Sequence, residues 1–286
     1  MTATHSFMGR EFNARNAIVV AGAKFDIGTR VFGWRESGFN GYTKKRVEVK
    51  SEDRRTGKVK TRVIQGPRYK ARPGGLADIR QFFVHHSGGD GRDPANMYNT
   101  LYMNRGLSVH YAVEDDGRIY QFNDALDCCF HGGNHNRVSI GVECCLFPLV
   151  KDKPNYYSPA RRKRLGNLPH RKQVERIHGV KLEVFCFTDP QVDALARLAA
   201  GNWLAVQALR GDLTGECDAP RFPRTTKGTI PRTVYPKHKE HTGLIGHLQC
   251  TRNKIDPAGF PWEQFEDQVH DYYWDFRAKA VTIAGG

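Results

Sequence analysis

Apolar positions change period several times along this chain, and each change predicts an element. Residues 78–84, ending on Phe82-Phe83-Val84, predict a strand that leads straight into His85 and His86. Residues 111–113 and 118–122 alternate on either side of an Asp-Gly turn, which predicts a hairpin. Residues 139–146 are apolar apart from Ser139 and Glu143, which predicts another buried strand, and residues 244–247 predict the last one. Three stretches have helical spacing instead. Residues 94–104 place Met97, Tyr98 and Leu101 on one side. Beyond residue 188, Val192, Leu195, Leu198 and Ala199 recur three or four apart, with Thr188 or Asp189 as the cap and Pro190 in the first turn. Residues 262–278 predict a closing helix.

The polar stretches divide the chain. Residues 30–34, 45–50 and 58–64 predict short strands, the last two joined across the polar turn 51–57 as a basic hairpin. Pro73-Gly74-Gly75 then breaks the pattern. Residues 1–76 therefore read as a basic N-terminal extension and 77–286 as the main domain. Residues 151–172, centred on Arg161-Arg162-Lys163-Arg164, and residues 211–240 read as basic inserts in that domain. Strands alternating with helices predict an α/β fold, a single mixed β-sheet flanked by helices.

Composition narrows the classes. In 286 residues, 39% are hydrophobic, enough for a sizeable core, and no run has the length of a membrane span. The N-terminus lacks an apolar signal core, so the expectation is synthesis in the cytoplasm, with any export by another route. A net charge of +14 favours polyanionic surroundings, whether nucleic acid, anionic lipid or an anionic wall. No zinc-finger, RNA-recognition or helix-turn-helix signature accompanies it, so no specific nucleic acid is expected. The seven cysteines lack CxxC spacing, which points to reduced thiols rather than a disulfide framework.

Chemistry concentrates in two distant places. Phe83-Val84-His85-His86-Ser87 follows the first strand of the main domain. Gly246–Pro257 supplies His247, Lys254 and Asp256 within ten residues. Two histidines and one carboxylate from distant segments can make an open zinc site, which keeps a position for water and so suits hydrolysis.

Five blocks, in order, carry a resemblance. They are Val84-His85-His86-Ser87; Ser108-Val109-His110-Tyr111 with residues 116–121; His131-Gly132-Gly133; Asn136 with residues 139–143; and Gly246-His247 with Lys254-Ile255-Asp256-Pro257. Over residues 78 to 265 the chain resembles the type-2 N-acetylmuramoyl-L-alanine amidases, which include phage lysins, muropeptide-recycling amidases and peptidoglycan recognition proteins. The resemblance implies zinc held by His85, His247 and Asp256, with Glu143 as general base and Lys254 steadying the oxyanion. His131, Asn134, Asn136 and Ser139 would line the substrate groove. His86 falls on the opposite side of its strand, and Cys250, only three residues past His247, fits the pattern poorly as a ligand. Val109 stands where several phage-type members carry tyrosine, which leaves Glu143 as the base. The implied substrate is the amide between N-acetylmuramic acid and L-alanine in peptidoglycan. The basic extension would then hold anionic wall polymers or dock on a phage or injection particle. A non-catalytic peptidoglycan-binding module is the competing reading, as is a nucleic-acid binder suggested by charge alone.

Overall fold

Residues 81–86 are buried on both faces, and their alternation sets the architecture. The computed structural model describes residues 4–7, 10–42, 47–52, 58–64, 68–88, 94–164, 170–213 and 218–284. Its centre is a six-stranded mixed sheet. We label these strands β1 (Val31–Phe32), β2 (Gln81–His86), β3 (Tyr111–Val113), β4 (Ile119–Gln121), β5 (Ser139–Cys144) and β6 (Gly243–Gly246). Their spatial order is β6-β2-β5-β3-β4-β1. The strands β6, β2, β5 and β3 run parallel, β4 is antiparallel to β3, and β1 is parallel to β4.

One face of this sheet is covered by two helices, α1 (Asp189–Arg210) and α2 (Trp262–Ala284). Phe82 and Val84 of β2, Ile140 and Val142 of β5 and Leu244 of β6 point into the same core as Val192, Leu195 and Leu198 of α1 and Phe265 and Val269 of α2. Each fully buried aliphatic or aromatic side chain contributes about 1.5–3 kcal/mol by leaving water, so this face anchors the sheet. The helix α1 begins where its cap residues predict. Thr188 accepts from the Gln191 amide at 3.2 Å while the Gln191 side chain accepts from the Thr188 amide at 3.1 Å. Gly211 ends it in the left-handed conformation, φ 78°. The closing helix runs to Ala284, six residues beyond the expected 278.

The opposite face carries a smaller cluster, including Met97, Leu101, Val109 and Phe122, together with the histidines described below. The single helix expected over 94–104 is an α-turn, Pro94–Tyr98, continuing as a π-helical segment, Asn99–Arg105.

Two features differ from the pattern read along the chain. Part of the 1–76 segment belongs to the core: β1 completes the central sheet, and Ile18, Val20, Phe25 and Ile27 pack in the helix-side cluster. The strand expected at 30–34 forms, but its pairing with Ile119–Tyr120 is a long-range contact with no local signal, which is why the segment looks separate in sequence. The segment 172–185, whose first residue falls at the end of the 151–172 insert and whose remainder has no element expected from sequence, is a hairpin pairing Lys172–Ile177 with Val180–Phe185. Its first strand is mostly exposed, so charged residues mask the alternation. Residues 159–164 of the first insert form a short helix, and 165–169 lie outside the described residues. In the N-terminal segment Val47–Glu52 pairs antiparallel with Val59–Ile64; the turn expected at 51–57 lies largely outside the described residues. Among the described residues no helix is long and apolar enough to cross a membrane.

Candidate metal centre

Three parallel strands deliver the chemistry at their carboxyl ends, where open α/β sheets expose ligand-binding groups. Gly246 of β6 pairs with Val84 of β2, so His247 emerges level with His85. Glu143 of β5 pairs directly with His85. The odd positions of β2, Gln81, Phe83 and His85, face away from the helix core, as does Glu143 on β5. His86 points the other way, buried, with neither ring nitrogen hydrogen-bonded.

Asp256 closes the cluster. Its Oδ2 lies 2.9 Å from Nδ1 of His85 and 3.0 Å from Nδ1 of His247. The three residues form a group whose ligand atoms lie within 4.8 Å of one another. Ligand atoms around a tetrahedral zinc stand about 3.3 Å apart, so a small opening of this triangle would admit the ion. Glycine at 246 is required: a Cβ there would meet Pro257 and the Trp262 ring, both at 2.7 Å.

Electrostatics prepare each group. Burial pulls His85 down to about 4, against the opposing Asp256 charge, so its imidazole is neutral at physiological pH and has a lone pair to offer. Burial alone would raise Asp256. The hydrogen bond from His247 outweighs it and holds the carboxyl well below the usual carboxylate range. Glu143 moves the opposite way. Burial first and the Asp256 charge second raise it to about 8, partly offset by Lys254 and Arg105. Its Oε2 is buried without a hydrogen-bond partner. A carboxylate left unsatisfied beside a cluster of ligands is costly to folding and marks a functional group.

A chain of hydrogen bonds behind His85 decides which nitrogen is free. The Ser139 hydroxyl donates to the His135 carbonyl at 2.7 Å, so toward His131 it can only accept. His131 Nε2 lies 3.4 Å from that oxygen, and His131 Nδ1 lies 3.1 Å from His85 Nε2. With His131 donating to Ser139, its Nδ1 accepts from His85 Nε2–H. That leaves a lone pair on His85 Nδ1 facing the Asp256 carboxylate. Two lone pairs facing each other across 2.9 Å are the mark of a cation site, and the donor set fits a zinc ion.

The expected groove residues therefore divide. His131 and Ser139 stand behind His85 and set its tautomer; Ser139 is fully buried, so an internal tie replaces the groove contact expected of it. Asn136 is also occupied internally, its Oδ1 accepting from the amides of His131 and Gly132 at 3.0 and 2.6 Å. Asn134 is exposed. Lys254 is exposed, and its carbonyl accepts from His178 Nε2 at 2.8 Å. His178 sits at the tip of the 172–185 hairpin, so a segment with no assigned role in the sequence supports the loop that carries Lys254 and Asp256.

Arg72 also escaped notice in the sequence. Its buried guanidinium donates to the carbonyls of Leu126, Asn136, Arg137, Asp127 and Ser139, tying down the loop that holds His131. One arginine before a Pro-Gly-Gly break gives no local signal of such a role.

Gly141 tests the positioning role of His131. A Cβ at that position would stand 2.5 Å from the His131 ring. Gly141→Ala should displace the ring, break its bond to His85 and weaken zinc binding by roughly 10–100-fold while the fold persists. Isothermal titration of zinc into the chelator-treated protein, with circular dichroism as the folding control, checks this.

No curated protein matches the chain. Among solved structures, an AmpD derivative is 18% identical with a TM-score of 0.36, over 71% of this chain and 90% of that one. The Staphylococcus aureus hydrolase AmiA with its ligand is 14% identical with a TM-score of 0.40, over 74% and 80%. The Drosophila peptidoglycan recognition protein PGRP-SA is 12% identical with a TM-score of 0.39, over 84% and 92%. The family profile described as N-acetylmuramoyl-L-alanine amidase matches residues 75–259, from the turn before β2 to just past Asp256, and the chain belongs to that family.

Proposed function

We propose that this protein is a zinc-dependent N-acetylmuramoyl-L-alanine amidase that cleaves peptidoglycan between the muramyl lactyl carbonyl and the amine of L-alanine. The observation that carries the reading is the buried, unpartnered Glu143 carboxylate, registered beside His85 and next to the His85–His247–Asp256 cluster. A binding-only module gains nothing from such a group, whereas a hydrolase needs a proton acceptor there.

A zinc ion on His85, His247 and Asp256 supplies Lewis-acid activation of water and of the scissile carbonyl. Glu143 takes the proton from the attacking water as the new C–O bond forms. The Lys254 ammonium, its backbone held by His178, steadies the negative charge that develops on the carbonyl oxygen. Glu143 then returns its proton to the departing nitrogen as the C–N bond breaks. His131 and Ser139 keep the His85 ring oriented throughout.

The wider reading follows from charge. A net +14 suits an enzyme working on an anionic wall after release or delivery, and the basic N-terminal segment is the proposed contact to wall polymers or to a phage or injection particle. Mass spectrometry of digested peptidoglycan separates the reactions. New L-alanine amino termini are expected; new reducing sugar ends would assign a glycosidase and overturn the proposal.

A further inference from the structure

Among the described residues a second group has the spacing of a metal site: His135, His238 and Cys250, with ligand atoms also within 4.8 Å of one another. It draws on three separate segments. His135 ends the 3-10 turn Gly133–His135, His238 lies in the irregular 211–240 stretch, and Cys250 follows the 3-10 turn His247–Gln249.

The surroundings of His135 fix its tautomer. Gln81 Nε2 donates to the carbonyls of His238 and His241 at 2.8 and 2.9 Å, so its Oε1 must accept. That oxygen lies 2.7 Å from His135 Nδ1, which therefore carries the proton. Nε2 of His135 keeps its lone pair and faces Nδ1 of His238 at 2.9 Å. An imidazole that donates one N–H to a fixed acceptor and presents the other nitrogen to a cluster is the arrangement found behind metal-binding histidines. His135 is buried at 3% exposure, and its ring is further fixed by an edge contact with Phe83. Cys250 is a free, half-buried thiol with Sγ 3.7 Å from the Gly246 carbonyl.

We propose that His135 Nε2, His238 Nδ1 and Cys250 Sγ form a second, structural metal site for a zinc-class cation. Two imidazoles and a thiolate suit zinc. Binding would move the His238 proton to its Nε2 and release the thiol proton of Cys250, with no redox change. The role follows from placement. Phe83 separates the two clusters, its ring 5.5 Å from His135 and 5.4 Å from His247. A cation here pins the 211–240 stretch and the start of the catalytic loop to the sheet, so that His247 and Asp256 leave a segment already anchored at Cys250.

Cobalt(II) tests this with the full chain, because only a cysteine-containing site gives a near-ultraviolet thiolate-to-cobalt charge-transfer band. Metal-stripped wild type should take up about two cobalt ions per chain and show the band. H85A should keep the band and lose one ion. C250S and H238A should each lose the band and keep one ion; H238A changes a half-exposed residue in an irregular stretch, so folding is not in question. Uptake of a single ion by wild type would overturn the proposal. So would a band that survives H238A, or one that vanishes in H85A, which would place Cys250 on the first cluster. None of these outcomes depends on the hydrolytic reading.

Discussion

Asp256→Ala should abolish peptidoglycan cleavage and strip the first metal site while leaving the protein folded. Among the described residues the carboxylate is the group that faces both His85 and His247 through one oxygen, at 2.9 and 3.0 Å. Without it two imidazoles remain, and a pair of them holds zinc far less tightly than a three-ligand site. Loss of a residue behind a ligand typically costs 10–100-fold in affinity, so loss of the ligand itself should exceed about 10²-fold. The fold should survive, because the helix-side core of Phe82, Val84, Leu195 and Phe265 makes no use of Asp256. Asp256→Asn separates charge from shape: it keeps the volume, and it should also fail, since a neutral amide does not balance a divalent cation. Zinc content, cleavage rate and thermal unfolding measured on both variants check this. Wall lysis at the wild-type rate by Asp256→Ala would favour the binding-only or a metal-independent reading.

The second large effect is at Glu143, where activity and stability should move in opposite directions. Glu143→Gln removes the proton acceptor and should lower the cleavage rate by roughly 10²–10⁴-fold. The same change should stabilise the chelator-treated protein. Burial and Asp256 raise this carboxyl from its usual 4.5 to about 8 in the fold. A carboxyl with a raised folded value costs nothing below pH 4.5. The cost grows as pH climbs from 4.5 toward 8, because the unfolded chain ionises freely and the folded one does not. At pH 8 it is on the order of 4 kcal/mol. The melting temperature of Glu143→Gln should therefore match wild type near pH 4.5 and rise above it progressively toward pH 8. A gap that stays constant across that range would mean Glu143 is not held in the unfavourable environment described. Such an exchange of stability for function is common where a site needs a group the fold alone would reject.

Much of this was legible in the sequence where the signal is local. The strand that becomes β2 could be read because Phe82-Phe83-Val84 runs straight into His85, and α1 because Thr188 and Pro190 sit where a capped helix needs them. The metal cluster was legible through the order of its blocks, since no single block is specific. What could not be read depends on contacts far apart in the chain. His131 and Ser139 look like groove residues until the sheet places them behind His85. His178 has no role to read in the sequence until its hairpin reaches the Lys254 carbonyl. Arg72 shows its role only when five carbonyls from residues 126–139 surround it. Cys250 was set aside as a ligand of the first cluster, and its neighbours in space, His135 and His238, come from segments with no common pattern.

The measurement that bears most directly on the central claim is release of L-alanine amino termini from peptidoglycan before chelation, after chelation and after zinc is restored, in wild type and Asp256→Ala side by side. The account predicts that chelation silences wild type, that zinc revives it, and that Asp256→Ala stays silent throughout. Amine release that persists in fully chelated wild type, or that zinc restores equally in Asp256→Ala, would contradict it.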